Sequence, residues 1–144
     1  MVVPPTELEI ISRLVIALIL GSLIGLEREL KHMPAGLRTH ALVALGSSLF
    51  TVISLSFFDV SDSARIAAGV VTGIGFIGGG AIFRSEDRIK GLTTAADLWL
   101  AAAVGVAVGI GFFIPAVVTV VLAMLTLIVG GTLEKKALKK DIVD

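Results

Sequence analysis

The sequence predicts an all-α integral membrane protein, a bundle of five transmembrane helices with its N-terminus outside and its C-terminus in the cytoplasm. Composition is the first reason. Of 144 residues, 56% are hydrophobic and only 17% are charged, with a mean hydropathy of +1.01. A soluble domain carries about a quarter charged residues, and there is too little polar surface here to wrap a core of this size. Lipid on the outside lets apolar side chains face both ways. The second reason is pattern: five continuous apolar runs follow one another along the chain. Helices of about 20 residues would use roughly 100 of the 144 positions. The third is the placement of charge, taken up below.

The runs justify the elements in order. Residues 14–26 are short for a bilayer, and extension back to residue 8 brings in Glu9 and Arg13, spaced i, i+4 so that they can pair. The second span, 41–58, follows the turn at 32–36, where Pro34 suits a first helical turn. The third, 66–83, carries no charge, and the fourth, 92–109, contains one acid, Asp97. The fifth, 112–133, is uncharged with Pro115 near its start. Residues 1–133 form the membrane domain, and 134–144 form a charged cytoplasmic tail, a solvated anchor. The runs are continuously apolar, whereas strands of a membrane β-barrel alternate. Helices also satisfy their own backbone groups in lipid.

Lys and Arg set the orientation. The first connection holds Arg28, Lys31 and Arg38, the third Arg84, Arg88 and Lys90, and the tail Lys135, Lys136, Lys139 and Lys140. Only Arg13 and Arg65 lie on the other side. The positive-inside rule then puts the C-terminus in the cytoplasm, and the N-terminus outside with an odd number of helices. Phe57–Phe58 and Phe112–Phe113 fall at the outer boundary.

Other classes fall away. Twelve basic residues balance twelve acids, leaving no positive field for nucleic acid. Without cysteine, disulfides, thiolate metal sites and thiol nucleophiles are excluded. No HExxH or GxSxG pattern is present, so no catalytic residue, cofactor or metal site is assigned and the chain reads as non-enzymatic. The start of the chain has no basic n-region, and reads as a first span rather than a signal peptide.

Glycines spaced four apart mark helix contacts: Gly21 and Gly25, Gly69 and Gly73, Gly75 and Gly79, Gly105 and Gly109. Small residues at this spacing let backbones approach when lipid removes the hydrophobic drive. Self-association as a homo-oligomer is a further expectation from these faces. Gly78–Gly80 can loosen a helix end and bare its carbonyls. His40, Ala44, Ser47, Thr51 and Ser54 form one small, polar stripe on the second helix.

Asp97 is the most informative residue. An acid at mid-membrane costs about 2.5–3.5 kcal/mol on insertion scales, and either Arg38 or Thr93 could offset this. Both an ion or proton site and a helix-to-helix clamp fit. Around it, Glu27, Arg28, Arg38, Thr39, His40, Arg84, Thr93, Thr94 and Asp97 form a candidate cluster at the inner boundary. Trp99, too deep for an interface belt, is assigned to packing.

The ordered motifs resemble those of the MgtC/SapB family of bacterial inner-membrane proteins. The matching stretches are GLERE at 25–29, PAGLRTHALVALG at 34–46, DSARIAAGVVTGIGFIGGGAIF at 62–83 and GLTTAADLWLAAAVGVAVG at 91–109. Glu27, Arg28, Pro34, Gly36, Leu37, Arg38, Thr39, Arg65, Gly73, Gly75, Gly78, Gly91, Thr94 and Trp99 fit the family pattern. Thr93 replaces a common asparagine, Leu100 a cysteine found in some members, and Asp97 a small or hydroxylic residue. The resemblance implies a multi-pass plasma-membrane bundle of the short, SapB-like kind, without the C-terminal soluble domain of other members. It also implies adaptation to low magnesium, and effects on the membrane ATP synthase as one partner. The expected function is a non-enzymatic regulator of adaptation to low magnesium or membrane stress, acting through membrane partners. The alternative is a small-cation transporter or channel with a cytoplasm-facing site around Asp97.

Overall fold

A computed structural model of the protein describes residues 5–57, 60–85 and 88–140. Phe58, Asp59 and the end of the charged tail, 141–144, lie outside the described residues. Five helices follow in order, α1 (Glu7–Leu30), α2 (Leu37–Phe57), α3 (Val60–Gly80), α4 (Leu92–Gly109) and α5 (Phe113–Lys140), with strands β1 (Phe83–Ser85) and β2 (Arg88–Lys90) between α3 and α4.

Local chemistry sets the helix ends. Thr6 and Glu9 form a reciprocal capping box at the start of α1. Glu9 is thereby engaged with Thr6, at 2.7 Å from its backbone N–H. Arg13, expected to pair with Glu9, instead donates to the carbonyl oxygen of Gly109 at 2.7 Å. A cation at the carbonyl end of α4 also complements the helix dipole. The chain leaves α1 through His32, with φ of 54°, and α2 begins at Leu37, so Pro34 lies before the helix and not in its first turn. The Leu37 N–H is satisfied from the neighbouring helix: Glu29 Oε2 accepts it at 2.8 Å. Gly91 opens α4 at φ 88°, and a Cβ there would strike the carbonyl oxygen of Ala81.

The third element differs from the expected 66–83. Its helix ends at Gly80, and Phe83 belongs to β1, which pairs antiparallel with β2 in the register Phe83↔Lys90, Arg84↔Ile89 and Ser85↔Arg88. Three glycines are poor helix formers, and the strand pair takes over the backbone hydrogen bonds just beyond them. The glycines themselves stay helical to Gly80. Four helical stretches are long and apolar enough to cross a membrane, Glu7–Leu30, Leu37–Phe57, Leu92–Gly109 and Phe113–Leu133, and α3 contributes a shorter one, Ala64–Gly80. Helix α5 continues past 133 to Lys140, so the tail is helical over that part.

Helix α2 lies between α1 and α4. On one side a Cβ at Gly21 would stand 2.6 Å from both Ala44 Cβ and the His40 carbonyl oxygen, and one at Gly25 would stand 2.7 Å from Leu37 Cα. On the other side a Cβ at Gly105 would meet the Ala44 carbonyl oxygen, and one at Gly109 would stand 2.6 Å from Thr51 Cβ. Real Cβ atoms do not come this close, so these four glycines set the interhelical distance. The α2 stripe of His40, Ala44, Ser47, Thr51 and Ser54 is buried in this sandwich. Thr51 there donates to the Ser47 carbonyl oxygen within its own helix, at 2.8 Å. A second core joins Ala17, Leu20 and Ile24 of α1 to Val104 and Val108 of α4 and Ala116 and Val120 of α5.

Helix α3 is packed differently. Ile74 is buried with Ala35, Leu98 and Ala102, and Gly78 lies against Ala95. Gly69, Gly73, Gly75 and Gly79 meet nothing within 4 Å of a Cβ position. Phe76 is 87% exposed. Trp99, expected to pack, is half exposed and faces outward from α4.

The two glycine sets should therefore behave oppositely on mutation. Gly21→Leu or Gly105→Leu should destabilise the detergent-solubilised protein by about 1–3 kcal/mol or more through overpacking. Gly75→Ala should leave stability within about 1 kcal/mol or raise it, as read by thermal unfolding followed by circular dichroism.

Candidate functional site

The polar residues at one end of the bundle converge on Asp97, the sixth residue of α4 and 4% exposed. Each carboxylate oxygen has a partner from a different helix. Arg28 Nε of α1 lies 2.8 Å from Oδ2, and His40 Nε2 of α2 lies 2.9 Å from Oδ1. The Arg28 contact is an ion pair rather than an aligned hydrogen bond. Both partners are buried, His40 completely.

The network extends outward from this centre. Arg28 Nη1 stands 3.3 Å from Glu27 Oε2, and Lys31 Nζ stands 2.5 Å from Glu27 Oε1, one helical turn on. Lys31 also donates to the Leu127 carbonyl oxygen of α5 at 3.3 Å. At the other end, His40 Nδ1 lies 2.9 Å from the Gly36 carbonyl oxygen. One chain of polar contacts thus runs from α5 through α1 and α4 to the start of α2. Buried Glu27 and Asp97 are matched by buried Arg28 and by Lys31, whose side chain is exposed at the edge of the network. His40 sits with both ring nitrogens against acceptors, and a neutral imidazole carries only one N–H. Which of the two ring nitrogens donates is set by the tautomer.

The sequence-predicted residues divide into two groups. Glu27, Arg28, His40 and Asp97 come together, with Thr94 buried on the same face of α4. Arg38 and Thr93 are exposed and lie outside the network, Arg84 is exposed, and Thr39 is half-buried. The partner of Asp97 is therefore Arg28 with His40, and not Arg38 or Thr93. Lys31 belongs to the network although charge counting used it only for orientation; its i, i+4 spacing from Glu27 is the signal that could have found it. Among the described residues, no group of three His, Cys, Asp or Glu is placed to hold a metal ion.

Two concavities lie beside the network. A groove of about 1120 Å³ runs between α2 and α3, with Arg38 and Thr39 at one end and Phe50 and Ile66 further along. A polar pocket of about 260 Å³ is bounded by Glu29, His32, Gly36, Arg38 and Thr39.

Long apolar helices joined by a buried ion network define a multi-pass α-helical membrane protein. The pattern of the MgtC family matches residues 14–136, and the chain belongs to that family. It is accordingly a multi-pass protein of the bacterial inner membrane. It is 43% identical over 141 residues to a protein of Escherichia coli K12 called putative magnesium transporter YhiD, covering 92% of this chain and 66% of that one. To a Haemophilus influenzae protein described as uncharacterized it is 41% identical over 133 residues, 85% of this chain and 56% of the relative. To the protein called MgtC in Brucella abortus it is 49% identical over 105 residues, 73% of this chain and 44% of the relative. The chain thus spans about half to two thirds of the length of these relatives. No solved structure matches it.

Removing one member of the network should cost more than removing the pair. Asp97→Ala leaves Arg28 and His40 buried without their acceptor and should destabilise the protein by about 3–5 kcal/mol. The double variant Arg28→Met, Asp97→Leu should recover a large part of that loss, and Arg38→Ala should change stability by less than about 0.5 kcal/mol. A double-mutant cycle on unfolding in mixed detergent measures the coupling.

Proposed function

We propose that the protein is a non-enzymatic regulator of adaptation to low magnesium or membrane stress that works through contacts with other membrane proteins. The magnesium link rests on family membership and on the names carried by the relatives. The observation that carries the regulator reading is the occupation of Asp97. Both oxygens of the intramembrane acid face cationic or N–H groups, and the residue is 4% exposed. A magnesium ion wants several oxygen ligands and keeps part of its water shell. An acid already neutralised by Arg28 makes a poor ligand for it. The second reading, a cation transporter, is favoured by the name of the Escherichia coli relative, and would require the network to open.

Five spans are the topology this reading uses. The contacts of Lys31 with Leu127, of Gly78 with Ala95 and of Arg28 with Asp97 gather alternate helix ends on one side, and Arg13 meets Gly109 on the other. These contacts support α3 as a crossing helix despite its shorter apolar part. Ten of the twelve Lys and Arg residues then lie on the cytoplasmic side. The open α3 face of Gly75, Phe76 and Gly79 supports self-association, and the ATP synthase is the other partner that family resemblance suggests.

Reconstituted vesicles test the reading directly. Magnesium uptake under a gradient should not exceed that of protein-free vesicles; robust flux without any partner would overturn the regulator proposal. The chain has no cysteine, so Phe76→Cys should give disulfide-trapped dimers in native membranes more readily than Leu125→Cys. Trapping of monomer alone would remove self-association.

A further inference from the structure

We propose that the groove between α2 and α3 is a binding site for one phospholipid with a phosphoethanolamine headgroup, anchored by Arg38 and Glu29. Arg38 has been left without a partner by the assignment of Asp97 to Arg28: it makes no hydrogen bond or ion pair among the described residues, and it is exposed at the end of a membrane helix. With Thr39 it lines both the apolar groove and the polar pocket, so the two concavities adjoin at these residues. A site that is apolar along its length and polar at one end fits an amphiphile.

Dimensions and charge narrow the occupant. From Thr39 to Phe50 the groove follows about 16 Å of helix. One leaflet of hydrocarbon is about 15 Å deep. Leu42, Val43 and Val70 give the groove its apolar lining. Gly46, Gly69 and Gly73 border open space in the groove, since a Cβ at any of them would meet nothing within 4 Å. At the polar end a guanidinium offers a planar fork of donors suited to phosphate, and the Thr39 hydroxyl is a further donor. Glu29 brings a negative charge into the same pocket. Its carboxylate has about four acceptor positions, and the Leu37 N–H uses one of them. An anionic headgroup would satisfy Arg38 and be repelled by Glu29. A headgroup with a phosphate and a primary ammonium satisfies both.

Native mass spectrometry of the purified full chain, titrated with phosphatidylethanolamine, phosphatidylcholine and phosphatidylglycerol of identical acyl chains, tests this. Phosphatidylethanolamine should be retained with about tenfold higher apparent affinity than either other lipid, the difference expected for one charge-assisted hydrogen bond. Arg38→Gln should weaken all three by about tenfold. Glu29→Gln keeps an acceptor for Leu37 and should abolish the preference while leaving the phosphate contact. Gly73→Leu, or Gly46→Leu should the first fail to fold as judged by circular dichroism, should fill the groove and abolish retention. Equal retention of the three lipids by the wild type, or unchanged binding in Arg38→Gln, would overturn the proposal. So would a dimer that buries Gly69 and Gly73 and is not displaced by lipid.

Discussion

A carboxylate inside a membrane domain has to be neutralised where it stands, and three helices of this protein take their positions from how that is done. Asp97 is reached at 2.8 Å by Arg28 and at 2.9 Å by His40, distances that only closely approaching backbones allow. The glycines supply that approach. Gly25 lies against Leu37 and Gly36, one turn before Arg28 on α1 and one turn before His40 on α2, and Gly105 lies against Ala44 two turns beyond Asp97 on α4. Packing and charge are thus one design: enlarging the glycines would separate the ions, and removing an ion would leave its partners stranded in a low-dielectric interior. The network fixes register as well as proximity, because His40 must also reach the Gly36 carbonyl.

The rest of the bundle is less constrained. Helix α5 is tied on through Lys31 and Leu127 and through an apolar core with α1 and α4. Helix α3 has a small buried contact around Ile74 and leaves five glycines open. In a bilayer such open faces are filled by lipid or by another helix, since neither water nor a void is stable there. The chain therefore consists of a closed assembly of α1, α2 and α4 with a more open element beside it.

Much of this was legible in the sequence, and what was not has a geometric cause. Four apolar runs gave helices close to their predicted bounds, with α4 at 92–109 as expected, because long apolar periodicity leaves few alternatives. The third run misled at its end, since Ala81–Phe83 continues the apolar pattern while the chain has already turned into a strand. The glycine pairs looked alike on paper, yet spacing of four identifies a face and not its occupant. Of the expected polar cluster, Glu27, Arg28, His40 and Asp97 meet, while the partners expected for Asp97, Arg38 or Thr93, do not reach it. Proximity to the membrane boundary brought Arg38 to attention, whereas the deciding quantity is angle around the helix.

Each residue advances an α-helix by about 100°, so Arg38 and His40, two positions apart, point in nearly opposite directions. His40 is fixed inward by the small residues that share its face, Ala44 and Ser47, both buried. Arg38 must then face out. The same rule turns Trp99 to the lipid once Asp97 faces in, as its half exposure records, and places Gly75 and Gly79 on a different side of α3 from Gly69 and Gly73. The short stretch from Leu37 to His40 therefore holds two nitrogen-bearing side chains with separate duties: the inward ring closes the Asp97 network, and the outward guanidinium makes no ion pair among the described residues. At the edge of the hydrocarbon such a guanidinium is solvated by water or by a phosphate, and the second of these is what the proposed lipid site would supply to Arg38.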